Sequence, residues 1–164
     1  YEIPKKMPIQ LSYRHLVTLI QIGENWKDVK QILQRTGQIP EKLEKTDEEH
    51  LKQRAEHAQY WLDNFAPEMV KFEVQKQLPK IDLKPEQKRF LETFLENIAS
   101  IKWDAEEIHN AIYESSQNEK VPIKIAFTTI YQIVLGREKG PRAGFFLSNL
   151  DKEFVEKRVE QAIK

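Results

Sequence analysis

Four basic side chains and one aromatic residue near the end of the sequence have the types and spacing of an anion-binding site. They are Lys124, Arg137, Lys139, Arg142 and Phe145. Ammonium and guanidinium groups bind phosphate oxygens, and an exposed aromatic ring can stack on an unpaired base, which contributes about 1–3 kcal/mol per base. Within residues 121–142, Glu138 is the only acidic residue. We therefore predict that the four basic residues bind an RNA backbone and that Phe145 stacks on a base.

The same residues also fit an ordinary connection between two helices. Lysine and arginine are common in solvated loops, Gly140-Pro141 is a common connector, and Phe145 can instead pack against another part of the fold. If the residues instead form an anion-binding site, the helix that starts after Gly140-Pro141 holds a phosphate with its backbone amides and dipole, beside Arg142. The residue types leave both interpretations open.

An apolar helix followed by a glycine has to position this site. Residues 122–135 are mostly apolar, and Lys124, Thr128 and Gln132 form one polar stripe with a spacing of four residues. This pattern predicts a helix that is buried on most sides and has a single edge in solvent. Gly136 is expected to end the helix in a left-handed conformation, from which the basic loop continues.

The rest of the sequence has the periodicity of an all-α protein, with apolar residues at helical spacing and only five glycines. Predicted N-caps and capping boxes lie at Ser12, Asn25, Thr46 with Glu49, and Asp104 with Glu107. The helix after Thr46 is expected to bury Leu62 and Phe65, and residues 115–118 are predicted to be a polar loop. Prolines in residues 67–85 indicate a boundary, so we predict two small helical subdomains, 1–78 and 79–164.

Composition and motifs exclude several kinds of function. The 164 residues include no cysteine, no glycine-rich phosphate loop and no Gly-x-Ser-x-Gly motif, so we expect no catalytic residue. His50 and His57 share a predicted helix but lie about 10.5 Å apart along it, too far to share a metal, so we expect no metal site. No run approaches the roughly 18 apolar residues of a membrane span. We expect a cytoplasmic protein and, because the chain begins with Tyr1 and not Met, a fragment.

The motifs around the predicted site resemble those of class I lysyl-tRNA synthetases. The similar residues are Ile125-Ala126-Phe127, Ile130-Tyr131, Val134-Leu135-Gly136, Gly140-Pro141-Arg142-Ala143-Gly144 and Phe146-Leu147, and more loosely the segment 11–19. The resemblance implies the α-helix cage that reads the anticodon in those enzymes, with tRNA, expected to be lysine-specific, and a catalytic domain as partners. The His-x-Gly-His and Lys-Met-Ser-Lys-Ser signatures of class I catalytic domains are absent. The resemblance therefore implies lysine–tRNA ligase activity, with ATP and Mg²⁺, for the parent enzyme only, and no cofactor in this part.

Two other interpretations remain. Glutamyl-tRNA synthetases share the apolar helix that begins at a proline, the glycine turn and the Gly-Pro restart, although the residues 142–147 favour the lysyl enzyme. A helical protein-interaction module without an RNA role is favoured by the balance of 26 basic and 26 acidic side chains and by the amphipathic helix predicted over residues 47–65.

Overall fold

A computed structural model describes residues 6–164, and the regular structure in that range is entirely helical, which confirms the predicted all-α fold. The helices are α1 (Tyr13–Ile22), α2 (Trp26–Arg35), α3 (Lys45–Asn64), α4 (Pro85–Ala99), α5 (Ala105–Asn118), α6 (Ile123–Leu135), α7 (Ala143–Ser148) and α8 (Lys152–Ile163). The chain divides into two compact units, Tyr1–Lys71 and Phe72–Lys164. The assignment of 1–78 and 79–164 as domains stays a prediction. None of the described helices has the length and apolarity needed to cross a membrane.

The first unit packs the apolar stripes of α1, α2 and α3 against one another. Ser12 Oγ accepts a hydrogen bond from the backbone N–H of His15, and Asn25 Oδ1 accepts one from that of Asp28, so both predicted N-caps are confirmed. The buried core includes Leu16, Leu19, Val29, Leu33, Leu51, Ala58 and Leu62. Burial of a leucine side chain contributes about 1.5–3 kcal/mol, so these stripes dictate which faces of the three helices meet.

The capping box predicted for the start of α3 was wrong. The N-cap is Glu44, two residues before Thr46, and the box of Thr46 with Glu49 does not form. Leu43 packs on the core of the first unit just before the helix, and Lys6 Nζ donates a hydrogen bond to Glu44 Oε1 at 3.0 Å. These tertiary contacts fix an earlier start than the local capping signal indicates.

The burial predicted for Phe65 at the other end of α3 was also wrong, because 66% of this residue is exposed. The helix ends at Asn64, and Phe65 is its C-cap residue with a φ of −132°. Phe65 has therefore left the helical register that keeps Leu62 in the core. Its ring instead meets the exposed ring of Tyr60 edge to face, with 6.0 Å between the centroids.

The second unit is built around the fully buried side chains of α4 to α7, among them Phe90, Phe94, Ile98, Ile108, Ile112, Ile130 and Phe146. Pro85 is the first residue of α4, a position where the missing backbone N–H of proline costs no helical hydrogen bond. Gln87 accepts a hydrogen bond from the backbone N–H of Lys84 and donates one to Thr129 Oγ1 at 2.8 Å. The start of α4 is thereby tied to the middle of α6. Asp104 caps α5, since it accepts a hydrogen bond from the backbone N–H of Glu107.

The polar loop predicted at residues 115–118 was wrong, because α5 continues through Asn118. Ser115 Oγ donates to the carbonyl of Ala111, and Ser116 Oγ donates to the carbonyl of Val121, both at 2.6 Å. Both serines are buried. Burial leaves neither hydroxyl without a hydrogen bond, because each donates to a backbone carbonyl. The composition of the segment does not reveal these acceptors.

An extended segment at the start of the second unit, residues 72–81, holds the C-terminal end of α6. The backbone N–H of Gln75 donates to the carbonyl of Val134 at 2.9 Å. Arg158 on α8 is 2% exposed and donates to the carbonyls of Ile133 and Gln75. Its guanidinium also lies 4.9 Å from the ring centroid of Phe154. The end of α6, from which the basic loop departs, is therefore held by two neighbouring elements, the extended segment and α8.

Candidate nucleic-acid interface

The exposed edge of α6 supplies one wall of a groove on the second unit. Ala126, Ile130 and Val134 are buried on the opposite side of the helix, as its apolar pattern predicts. Lys124 is exposed, and Thr128 is half-buried one turn later. Residues three and four positions apart lie on the same face of a helix, so Lys124, Phe127 and Thr128 project together.

The loop after α6 supplies the other wall. Gly136 has a φ of 67°, the left-handed conformation predicted for it, and this reverses the chain at the end of the helix. Glu138 and Lys139 then lie beside the first turns of α6. The resulting open groove has a volume of about 630 Å³ and is lined by Ile123, Lys124, Phe127, Thr128, Glu138 and Lys139.

The aromatic side chain in the groove rests on α5. The ring of Phe127 is nearly parallel to the imidazole of His109, with 6.0 Å between the centroids and 25° between the planes. Phe127 is half-buried, so part of its side chain remains available to the groove. A supported aromatic ring beside lysine ammonium groups is the combination that binds an unpaired nucleotide, by stacking on the base and by attraction to the phosphate.

The charges in this groove are available for a ligand. Lys124, Glu138 and Lys139 are all exposed, and none of them forms an ion pair with another residue in the described range 6–164. Two ammonium groups against one carboxylate give the groove a net positive charge. Among residues 6–164 no group of three or more histidine and acidic side chains is arranged to hold a metal ion.

Of the five predicted site residues, the structure brings two into this groove, namely Lys124 and Lys139. Arg137 and Phe145 are half-buried and Arg142 is exposed, and these three do not line it. Their RNA contacts stay predictions. Sequence reasoning missed Phe127, Thr128 and Glu138 as groove residues. For Thr128 the available signal was its place on the polar stripe, four residues after Lys124, whereas no local signal distinguished Phe127 from the core residues of the helix.

The glycine-rich run at the start of α7 serves close packing. A Cβ atom at Gly140 would lie 2.8 Å from the Tyr131 ring, and one at Gly144 would lie 2.3 Å from the carbonyl oxygen of Ala105. Tyr131 Oη also donates a hydrogen bond to the carbonyl of Pro141. The helix begins at Ala143, and both Ala143 and Gly144 are buried. The phosphate site predicted at this helix start stays a prediction, and the groove beside α6 is the better supported anion site.

A second cavity lies within the first unit and has a different character. Its volume is about 310 Å³, and Trp26, Lys52, Glu24 and Glu56 are among its lining residues. The Trp26 indole N–H faces Glu48 Oε1 at 3.4 Å. Two carboxylates against one ammonium group disfavour a phosphate ligand in this cavity, because like charges repel more strongly away from bulk water.

Residues 42–163 match the anticodon binding domain family. Because this match covers well over half of the chain, the protein belongs to that family, and the resemblance noted in the sequence is confirmed. Its relatives include the lysine–tRNA ligases of Thermoplasma acidophilum, 35% identical over 97% of this chain, and Picrophilus torridus, 33% identical over 96%. The lysine–tRNA ligase of Methanosphaera stadtmanae is 35% identical over 96% of the chain. The chain spans only 30–32% of the length of these relatives.

Proposed function

We propose that this chain recognises the anticodon loop of a tRNA and that the groove between α6 and the loop after it receives one unpaired nucleotide. The observation that carries the proposal is the presence of two unpaired ammonium groups beside a supported aromatic ring in a member of the anticodon binding domain family. Phosphate contacts position such an RNA, while contacts to the bases select it.

Each groove residue has a separate role in this proposal. Lys124 and Lys139 bind phosphate oxygens on either side of the nucleotide, and Phe127 stacks on its base. Thr128 offers a hydroxyl that can both donate and accept a hydrogen bond. Arg142, which is exposed at the start of α7, and Arg137 are proposed to extend the backbone contacts beyond the groove, with Phe145 as a further stacking residue.

The names of the relatives support lysine tRNA as the ligand. The sequence-based alternative of a glutamyl enzyme is less favoured, because the relatives described above are lysine–tRNA ligases. We propose ligation of lysine to tRNA, with ATP and Mg²⁺, only for a full-length protein in which this chain adjoins a catalytic domain, and we propose that it acts in the cytoplasm.

The proposal is tested by titrating the chain with a fluorescently labelled lysine tRNA transcript over a range of salt concentrations. Each phosphate contact to a single strand contributes about 0.7 to the slope of log K against log salt, so Lys124→Ala and Lys139→Ala should each reduce the slope by about 0.7 and weaken binding. Lys157→Ala is the matched control, because Lys157 is exposed on α8 in the same unit and outside the groove. Its affinity and slope should equal those of the unchanged protein.

Phe127→Leu separates stacking from charge. The leucine keeps an apolar side chain against α5 but cannot stack on a base, so binding should weaken by about 1–3 kcal/mol while the salt slope stays constant. A lysine tRNA transcript with a changed anticodon should bind as weakly as a non-cognate RNA. Tighter binding of glutamate tRNA than of lysine tRNA would assign the chain to the glutamyl enzymes. If both lysine variants bind lysine tRNA with the original affinity and slope, the groove is not the RNA site.

A further inference from the structure

Three exposed side chains on α5, which we call the α5 row, lie outside the groove described above. Tyr113 is 48% exposed, and Asn110 and Gln117 lie about one turn before and one turn after it on the same side of the helix. Both amide residues are exposed, and none of the three side chains forms a hydrogen bond or an ion pair with another residue in the described range 6–164. The α5 row therefore offers an aromatic ring and two amide groups to a ligand.

The α5 row borders the groove, because α5 and α6 form an antiparallel hairpin. At the closed end of the hairpin, the backbone N–H of Val121 donates to the carbonyl of Ser116 at 2.9 Å. About two turns earlier in α5, His109 stacks on Phe127, which lines the groove. Tyr113 lies between these two connections, one turn after His109 on the same side of α5. The row is therefore next to the first turn of α6, which forms one end of the groove.

The charges around the α5 row favour an anionic ligand. Lys120 follows the end of α5, and Lys124 lies in the first turn of α6. Both are exposed, and neither forms an ion pair within the part of the chain that the structure describes. Glu114 is the exposed acidic residue in the second half of α5, whereas the carboxylate of Glu119 is already paired with Arg89 at 3.7 Å. Two unpaired ammonium groups therefore outnumber one unpaired carboxylate, which suits a phosphate backbone.

We propose that the α5 row is a second nucleotide subsite, in which an unpaired base stacks on Tyr113 and its edge forms hydrogen bonds with Asn110 or Gln117. An aromatic ring accepts the face of any base, and an amide side chain can both donate and accept hydrogen bonds along the edge. The subsite takes the neighbour of the nucleotide that stacks on Phe127. The inference rests on the proposed function, since both nucleotides belong to one RNA.

The spacing of the two rings suits neighbouring nucleotides whose bases are splayed apart. Tyr113 is four residues after His109, so it lies about 6 Å along α5 from the support of Phe127. This is roughly twice the 3.4 Å between successive nucleotides stacked in one strand. The two bases therefore stack on protein rings and not on each other, which is the usual form in which proteins read single-stranded RNA loops. Lys124, at the border of the two subsites, binds the phosphate that joins the nucleotides.

The test uses stem-loop RNAs derived from the anticodon arm of lysine tRNA, with the fluorescent base 2-aminopurine at one loop position at a time. Stacking on an aromatic ring quenches this base, so the unchanged chain should quench two neighbouring positions. Tyr113→Leu should restore the fluorescence of one of them and weaken binding at least about fivefold at an unchanged salt slope. Phe127→Leu should restore the fluorescence of the other position.

Two variants control for effects other than stacking. Tyr113→Phe keeps the ring and should retain both the affinity and the quenching, which a loss of packing alone would not predict. Tyr60→Leu removes an exposed tyrosine from α3 in the first unit and should change neither quantity.

The outcomes separate this inference from the function on which it rests. If Lys124→Ala and Lys139→Ala weaken binding but Tyr113→Leu changes neither the affinity nor the quenching, the α5 row is not a subsite and the proposed function stands. Restored fluorescence at the same position in Tyr113→Leu and Phe127→Leu would also overturn the inference, because Tyr113 would then act only through the groove. Loss of quenching in Tyr113→Phe would overturn it as well. If neither the stem-loops nor lysine tRNA bind, both proposals fail together.

Discussion

A single methyl group added at Gly144 should destabilise the second unit more than a methyl group at Gly136. The Cβ atom of Gly144→Ala would lie 2.3 Å from the carbonyl oxygen of Ala105 and 3.1 Å from the Cβ atom of His109. An ordinary contact of this kind is at least 3.4 Å. The carbonyl belongs to the first turn of α5 and cannot rotate away, so α7 has to move by about 1 Å to remove the overlap.

The expected cost follows from what that movement separates. α7 carries Phe146 and Leu147, both with no exposed surface, and a gap of about 0.5–1 Å forfeits a quarter to a half of the dispersion energy at each contact. Overpacking of a core costs about 1–3 kcal/mol, and a rigid backbone neighbour places this site at the upper end. The replacement of a helical glycine by alanine also stabilises the helix by about 0.5–1 kcal/mol, which offsets part of this cost. The net loss in the free energy of unfolding should be about 2–2.5 kcal/mol.

Urea unfolding monitored by Trp103 fluorescence measures this loss. The Trp103 indole N–H donates to the carbonyl of Leu150 at 2.9 Å, just beyond α7, and replacement of Trp26 and Trp61 by phenylalanine leaves it as the only reporter. Gly136→Ala is the comparison. The φ of 67° at position 136 costs an alanine about 1–2 kcal/mol. The added Cβ atom meets no close neighbour there, because the nearest atom, in the Pro79 side chain, is 3.4 Å away. Equal stability of Gly144→Ala and the parent, or a larger loss in Gly136→Ala, would refute the packing argument.

Two further predictions concern one buried and one half-buried ionisable group, Arg158 and His15. Arg158→Ala should lower the free energy of unfolding of the second unit by about 2–4 kcal/mol, because two charge-assisted hydrogen bonds to the carbonyls of Ile133 and Gln75 are lost; Arg158→Lys should recover only part of it in the same urea assay. Burial lowers the pKa of His15 below its usual 6.5, so protons bind more tightly to the unfolded chain. The stability of the first unit should therefore be complete above that pH and decrease as the pH falls below it. His15→Gln should remove this dependence, and an unchanged pH profile would show that His15 is not its source.

The elements around the site could be predicted from the sequence where local chemistry determines them. The burial pattern of α6 follows from its apolar face, and the left-handed Gly136 follows from the freedom of glycine to adopt positive φ. The length of α5 could not be predicted, because the carbonyl that accepts from Ser116 belongs to Val121, beyond the end of the helix. The predicted start of α3 at Thr46 was wrong for the same reason. A tertiary contact of Leu43 competes with the local capping signal.

The groove itself was only half predictable. Lys124 is conspicuous because cations rarely interrupt an apolar segment without an exposed position, and Lys139 because it lies in the basic loop after Gly136. Phe127 has the same type and spacing as the core residues around it, and nothing local distinguishes it from Ile130. Its partial exposure depends on how the loop after Gly136 returns beside α6, which is a property of the folded chain.

Gly144 and the groove proposed to bind RNA are connected through one histidine, His109. Gly144 allows α7 to approach α5 so closely that a Cβ atom there would contact His109, and His109 in turn stacks on Phe127 in the groove. A bulkier residue at position 144 would push against the support of the stacking ring, although position 144 does not line the groove. Gly144 can therefore support the proposed recognition by positioning α7 against α5 and its histidine, without binding RNA itself.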